Sequence, residues 1–273
     1  MTRRLRPGVP AEPSGSQLRR MPRRTPRSNR RYLAVMKLST VVSLVLASFL
    51  APGVAICQAS EDSTKALFQE RFDDVLDWEQ DWLVEGTGVA WIEDGRLVIQ
   101  EDSAGVGVVV WTRRDWPADM EASFEVLFSN NRCIGVFFFA ARGSTGEDAF
   151  ETRTHRTGEY EEYIRGDLDN YSLSLHRYFP DGKNNPGSNV RRNPGFHLLQ
   201  AAMPDPALDS DRWYSVTIRK SGRSIRVSVD GAVTHDLMDE TLGGPLGHGK
   251  IGLRLRGDRS CRMEIDEFSI SVP

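Results

Sequence analysis

Cysteine is scarce: the 273 residues hold three, with no Cys-x-x-Cys pair. That excludes a thiolate zinc centre and a disulfide-dense mini-scaffold. Long apolar runs are missing too. The longest, from Val41 to Ala51, is about half of the ~20 residues needed to cross a bilayer, so no stable membrane span is expected. No segment keeps a helical period over a dozen residues, which removes bundles and folds built on crossover helices. Phosphate-binding loops, a Gly-x-Ser-x-Gly elbow, His-Glu-x-x-His and an EF-hand ligand series are all absent. Clustered base is lacking outside the N-terminus. Residues 1–37 hold 11 Lys and Arg and one acid, Glu12; the remainder holds 24 bases against 37 acids, a net of −13. An acidic body is no partner for a phosphate backbone, so nucleic acid is excluded.

The N-terminus reads as an address. Residues 1–35 are rich in Arg, Pro and Ser and form a disordered basic extension or a mis-assigned start. Residues 36–59 follow the signal-peptide order: Met36-Lys37, then an apolar stretch, then small residues near Ala55 and Ala59. The expectation is an exported protein, periplasmic or extracellular, with a single domain over 60–273. Two cysteines then remain, Cys133 and Cys261, which form one disulfide or stay as two buried thiols.

From Phe68 onward the body reads as strands. Glu93-Asp94-Gly95-Arg96 and Asp230-Gly231 mark hairpin turns. Runs at 106–112, 121–128, 133–141, 171–178, 213–220, 224–230, 250–256 and 263–272 alternate or are continuously apolar. In 171–178 the leucines share one face, while Ser172, Ser174, His176 and Tyr178 share the other. Leu253 and Leu255 oppose Arg254 and Arg256, a polar face read as solvated. The stretch 180–195 reads as a long loop with one aliphatic residue, Val190. The fold class is an all-β sandwich or barrel of antiparallel sheets.

Several stretches resemble a known family. Phe72-Asp73-Asp74, Trp213-Tyr214, Gly249-Lys250-Ile251-Gly252-Leu253-Arg254 and Ile265-Asp266-Glu267-Phe268 resemble strands of concanavalin A-like lectin and glucanase sandwiches. Four further stretches are similar to the YesU-like family, domain of unknown function 1961: Phe138–Gly143, Arg156-Thr157-Gly158-Glu159-Tyr160, Gly166–Tyr171 and Arg192-Asn193-Pro194-Gly195-Phe196-His197. The resemblance covers roughly residues 66–272. It implies a concanavalin A-like jelly roll of two antiparallel sheets and an association with polysaccharide use, notably rhamnogalacturonan. It assigns no catalytic residue.

Residues 142–200 stand out on their own composition. They are 59 of the 214 positions from 60 on, yet hold seven of the ten His and Tyr there, many Arg and no Trp. Aromatic rings cover pyranose faces, amides meet hydroxyls, and Arg holds a uronate carboxylate by two hydrogen bonds. The catalytic candidates are His176, Tyr160, Arg142 and His197. The substrate-binding candidates are Arg153, Tyr163, Asn170, Arg192 and Asn193. No residue is assigned to a metal, and no cofactor is expected beyond a structural calcium ion that the Asp181–Asn189 loop has oxygen donors to hold. Glu264-Ile265-Asp266 begins like a laminarinase strand, but Ser269 stands where its second Glu is required. The expected partner is a plant or algal poly- or oligosaccharide. Two functions stay open: a uronate lyase (before a hydrolase), or a non-catalytic lectin-like module. A plain polar surface is the alternative to both.

Overall fold

The computed structural model describes residues 65–74, 77–102, 105–152 and 155–273. The expected basic extension, the signal peptide and Arg153 lie outside the described residues. Fifteen strands and two short helices are described. In chain order they are β1 (Lys65–Glu70), α1 (Trp78–Asp81), β2 (Trp82–Gly86), β3 (Val89–Glu93), β4 (Arg96–Gln100), β5 (Val108–Thr112), β6 (Met120–Phe128) and β7 (Cys133–Gly143), then α2 (Tyr160–Ile164), β8 (Leu168–Leu175), β9 (Ser188–Asn193), β10 (His197–Ala202), β11 (Trp213–Ser221), β12 (Ser224–Val229), β13 (Ala232–Met238), β14 (Lys250–Gly257) and β15 (Arg262–Val272). None of the described helices is long and apolar enough to cross a membrane.

The strands form two antiparallel sheets, as expected. One runs β13-β12-β11-β6-β15-β4-β3, with β1 also on β15; the other runs β10-β9-β8-β7-β14-β5-β2. Alternation puts Phe124, Val126, Val216 and Ile265 of the first sheet against Phe137, Leu173, Leu253 and Leu255 of the second in one core. The first sheet keeps its other face polar, as in the strict alternation of β6. The second does not. β5 and much of β7 are buried on both faces because the chain between β7 and β8 folds back over the outer side. Trp111, Phe138, Tyr163 and Ile164 form a second apolar cluster there.

Gly252 sets the geometry of that cluster. It lies between Trp111 and Phe138 in the ladder, and the two rings stack over it at 5.5 Å and 16°. A Cβ at Gly252 would stand 2.5 Å from the Trp111 ring. Tyr163 packs on Phe138 at 5.3 Å. Glu85 of β2 then accepts from Trp111 Nε1 at 2.8 Å, the Tyr163 hydroxyl at 3.0 Å and Arg156 Nε at 3.0 Å. This partly buried carboxylate is saturated by three donors, and it fastens α2 to the sheet.

Two local readings need correction. The stretch 180–195 is not all loop, since β9 occupies Ser188–Asn193. Its outward residues Asn189, Arg191 and Asn193 are polar, and Val190 alone supplies an aliphatic side chain to the core. β8 ends at Leu175, and His176 follows with φ 51°. That left-handed residue breaks the alternation and removes His176 from the face of Ser172 and Ser174. The cysteine alternative resolves in favour of pairing: Cys133 and Cys261 form a disulfide, Cα to Cα 6.1 Å.

Candidate functional site

The sequence-predicted site residues fall into three places. Tyr160 lines a cavity of about 260 Å³ on the outer face of the seven-stranded sheet, with Ser174, Arg177, Asn185, Asn189, Arg191, Phe196, Arg254 and Arg256. His197 and Arg192 line a different one, of about 460 Å³, with Thr241 and Leu242. Arg142 lines a third, of about 240 Å³, with His248. Asp169 lines both of the last two. Burial raises the Asp169 pKa, against the charge of Arg192.

The other candidates, and Arg192 with them, are tied into structural networks, each for a visible reason. His176 has no exposed surface. Its Nδ1 faces the Ala207 carbonyl and its Nε2 the Asn130 carbonyl, both at 2.9 Å, and its ring stacks on Phe128 at 4.4 Å. Burial lowers its pKa, the two carbonyls opposing. No substrate reaches it, which corrects the catalytic reading. Burial and the neighbouring Glu85 charge push the Tyr163 phenol far up, so it stays a neutral donor to that carboxylate. Asn170 Nδ2 donates to the Tyr163 carbonyl at 2.8 Å, and Asn193 Nδ2 to Asn170 Oδ1 at 2.8 Å. This buried amide pair holds α2 over the sheet, and Asn193 also lines the cavity of His197. Arg192 is committed to Asp239 at 2.7 Å and to the Gly244 carbonyl at 2.5 Å. Among the described residues no cluster of three metal-ligating side chains occurs, and Asp181 of the proposed calcium loop is ion-paired to Lys183 at 2.9 Å.

The first cavity differs from its surroundings in charge. Arg142, Arg156 and Arg192 each hold a carboxylate. Arg177, Arg191, Arg254 and Arg256 form no ion pair among the described residues, and carbonyl oxygens take their bonds instead. Arg177 Nη1 donates to Gly187 O at 2.8 Å, Arg191 Nη1 to Phe196 O at 2.9 Å, and Arg256 Nε to Gly105 O at 2.8 Å. Arg254 is the extreme case, with 1% of its surface exposed. Its Nη2 donates to Val106 O at 2.7 Å and Gly158 O at 2.9 Å, while its Nε has no acceptor. Burial depresses its pKa. Glu101, whose charge reaches Arg254, turns its carboxylate to the Gly257 N–H at 2.6 Å.

The aromatic neighbours arrange these cations. The Arg191 guanidinium lies 3.9 Å over the Phe196 ring, and Arg254 lies 4.9 Å from the Tyr160 centroid. The Tyr160 phenol bonds Ser172, and burial raises its pKa against the pull of Arg254. No Asp or Glu lines the cavity. Four guanidiniums, one neutral phenol and two amides can hold an anion and grip hydroxyls around it.

Sequence reasoning reached Tyr160 but missed the arginines of β14. Their alternation with Leu253 and Leu255 was visible, but nothing in one sequence tells a solvated arginine face from one enclosed by a returning loop. Arg177 and Arg191 were in the arginine-rich stretch without being singled out.

Comparison with known proteins agrees with this architecture. A family model described as domain of unknown function (DUF1961) matches residues 65–258. The uncharacterized protein YesU of Bacillus subtilis (strain 168) is 30% identical over 182 residues, which is 64% of this chain and 82% of that one. A crystal structure of a protein of unknown function with a galectin-like fold, also from Bacillus subtilis, superposes with a TM-score of 0.69 at 26% identity, covering 76% of this chain and 97% of that one. A Bacillus licheniformis β-glucanase shares the fold at TM-score 0.52 and 11% identity, covering 77% of this chain and 99% of that one. The two-sheet jelly roll and the matched span 65–258 together establish that this chain belongs to the domain of unknown function 1961 family.

Proposed function

We propose that this protein is exported and binds an acidic, uronate-containing plant or algal saccharide in the arginine-lined cavity on the outer face of its seven-stranded sheet. The observation that carries the reading is Arg254, an enclosed guanidinium with an unsatisfied Nε beside three other arginines and no lining acid. Among the described residues Arg254 is compensated only by two carbonyls and, through space, by Glu101, so a carboxylate bound in the cavity supplies the opposite charge that a buried guanidinium lacks. The jelly-roll likeness to a β-glucanase supports a saccharide as the carrier of that carboxylate. The disulfide suits an oxidising compartment and supports export.

Between the two functional readings, binding has the stronger support. A hydrolase needs two carboxyl groups across the scissile bond, and the cavity is lined by none. The lyase reading keeps one specific support: Tyr160 is a proton-transfer group held neutral beside Arg254 and Arg191, as an acid protonating a leaving oxygen would be.

Calorimetric titration with oligogalacturonates, against neutral galactan, tests the proposal. Arg191→Gln and Arg256→Gln should each weaken uronate binding about tenfold to a hundredfold, from roughly 1.5–3 kcal/mol per charge-assisted hydrogen bond. Equal affinity for neutral and acidic polymers, or no loss in either variant, overturns it. Ultraviolet absorbance of unsaturated products, lost in Tyr160→Phe with binding retained, would establish the lyase.

A further inference from the structure

The cavity has one closed end, and the closure is built rather than incidental. Tyr160, at the start of α2, and Phe196, in the β9–β10 turn, meet edge to face at 5.9 Å. Behind them the backbones are joined, since the Gly195 N–H donates to the Ile164 carbonyl at 2.8 Å. Beyond that bond the face is filled by Tyr163, Phe138 and Trp111. On the other flank, Arg254 Nη2 bridges the carbonyls of Val106 and Gly158. There the Gly158 and Gly107 backbones approach so closely that a Cβ on Gly158 would lie 2.1 Å from the Gly107 oxygen. The wall is therefore fastened at both sides of the sheet. Toward the other end Arg256 also lines a neighbouring, more open hollow with Pro180, Asp258, Arg259 and Ser260.

We infer that the site recognises the end of an acidic saccharide chain rather than its interior, with the terminal uronate seated against the Tyr160–Phe196 wall and the next units leaving past Arg256. This rests on the acidic-saccharide reading above and adds to it the position of the bound unit along the chain. Size agrees: about 260 Å³ lies below the roughly 300–1,000 Å³ of clefts that enclose drug-sized ligands, which suits a single sugar residue. The charges agree as well. Arg191, over Phe196, and Arg254, beside Tyr160, lie at the blind end, and Arg256 stands toward the exit with Arg177, two residues along β14 from Arg254 and so roughly 7 Å away along the strand, where a second carboxylate of the same chain would pass.

The test is stoichiometry against chain length. The full chain is titrated calorimetrically with oligogalacturonates of graded length and with long polygalacturonate. Matched series of mannuronate and glucuronate polymers are run in parallel. End recognition predicts one protein bound per saccharide chain at every length, affinity that levels off after two or three units, and loss of binding when one terminus is chemically blocked. Tyr160→Ala with Phe196→Ala opens the wall and should raise the number of proteins bound on long polymer. Protein bound in proportion to polymer length by the unaltered chain overturns end recognition and leaves the acidic-saccharide reading standing. No binding to any of the three uronate series overturns both.

Discussion

Removing the Cys133–Cys261 bond should cost the sandwich a substantial part of its stability, and the size can be worked out. The bond joins the first residue of β7 to the residue before β15, and so one sheet to the other. The cross-linked positions are 128 apart in sequence. In the loop-entropy account, a closed loop of that length removes about 5 kcal/mol of freedom from the unfolded chain at 25 °C. For a domain of this size that corresponds to a fall in melting temperature of roughly 10–20 °C. The double variant Cys133→Ser/Cys261→Ser, compared with the oxidised protein by guanidinium titration, reads the difference directly. A second effect follows from position: Asp258 and Ser260, just before Cys261, line the open end of the arginine trough, so uronate affinity should drop in the same variant. A stability loss below about 1 kcal/mol, with the bond verified by peptide mapping of the parent, would refute the argument from loop size. Titratable thiols at Cys133 and Cys261 in the native protein would refute the pairing itself.

Two other outcomes follow from groups away from the trough. His176→Ala removes a buried ring with two carbonyl partners and a stacking neighbour; it should cost about 3 kcal/mol of stability and leave uronate affinity unchanged, so a selective loss of binding or turnover would restore the catalytic reading. Asp239 is buried, which raises its pKa, but bonds from Thr241 and Tyr171 with the charge of Arg192 outweigh that and hold it below the ordinary 3.8. Its folded pKa is depressed, so it contributes stability at pH values above about 4, and that contribution is lost as pH falls through the folded value. Asp239→Asn should flatten this acid limb in denaturation measured across pH, and an unchanged limb counts against the assignment.

The sandwich was legible because its core strands state their faces. Residues 213–220 and 224–230 alternate cleanly, 263–272 alternate on either side of a bulge at Asp266-Glu267, and Asp94-Gly95 and Asp230-Gly231 close hairpins where the type demands φ above zero. The site was legible only in part. A single positive φ at His176 moved a histidine from the polar face into the interior, and residue spacing carries no sign of that. β9 was hidden because its outward side chains answer to the arginine cavity and the amide network, not to a core. Arg254 was seen on its strand, but its enclosure depends on Gly158, nearly a hundred positions away, and such a contact exists only after folding.

The part of the wall that stands above the sheet has one main origin: apart from Phe196, it comes from the single excursion between two adjacent strands, β7 and β8. Those strands also pair directly with each other through their backbones. Exchanging this one segment would therefore convert a dead-end berth into a through-passage on an unchanged scaffold. Diversity in chain length between β7 and β8 is then the natural place for relatives to diverge in which part of a polymer they grip.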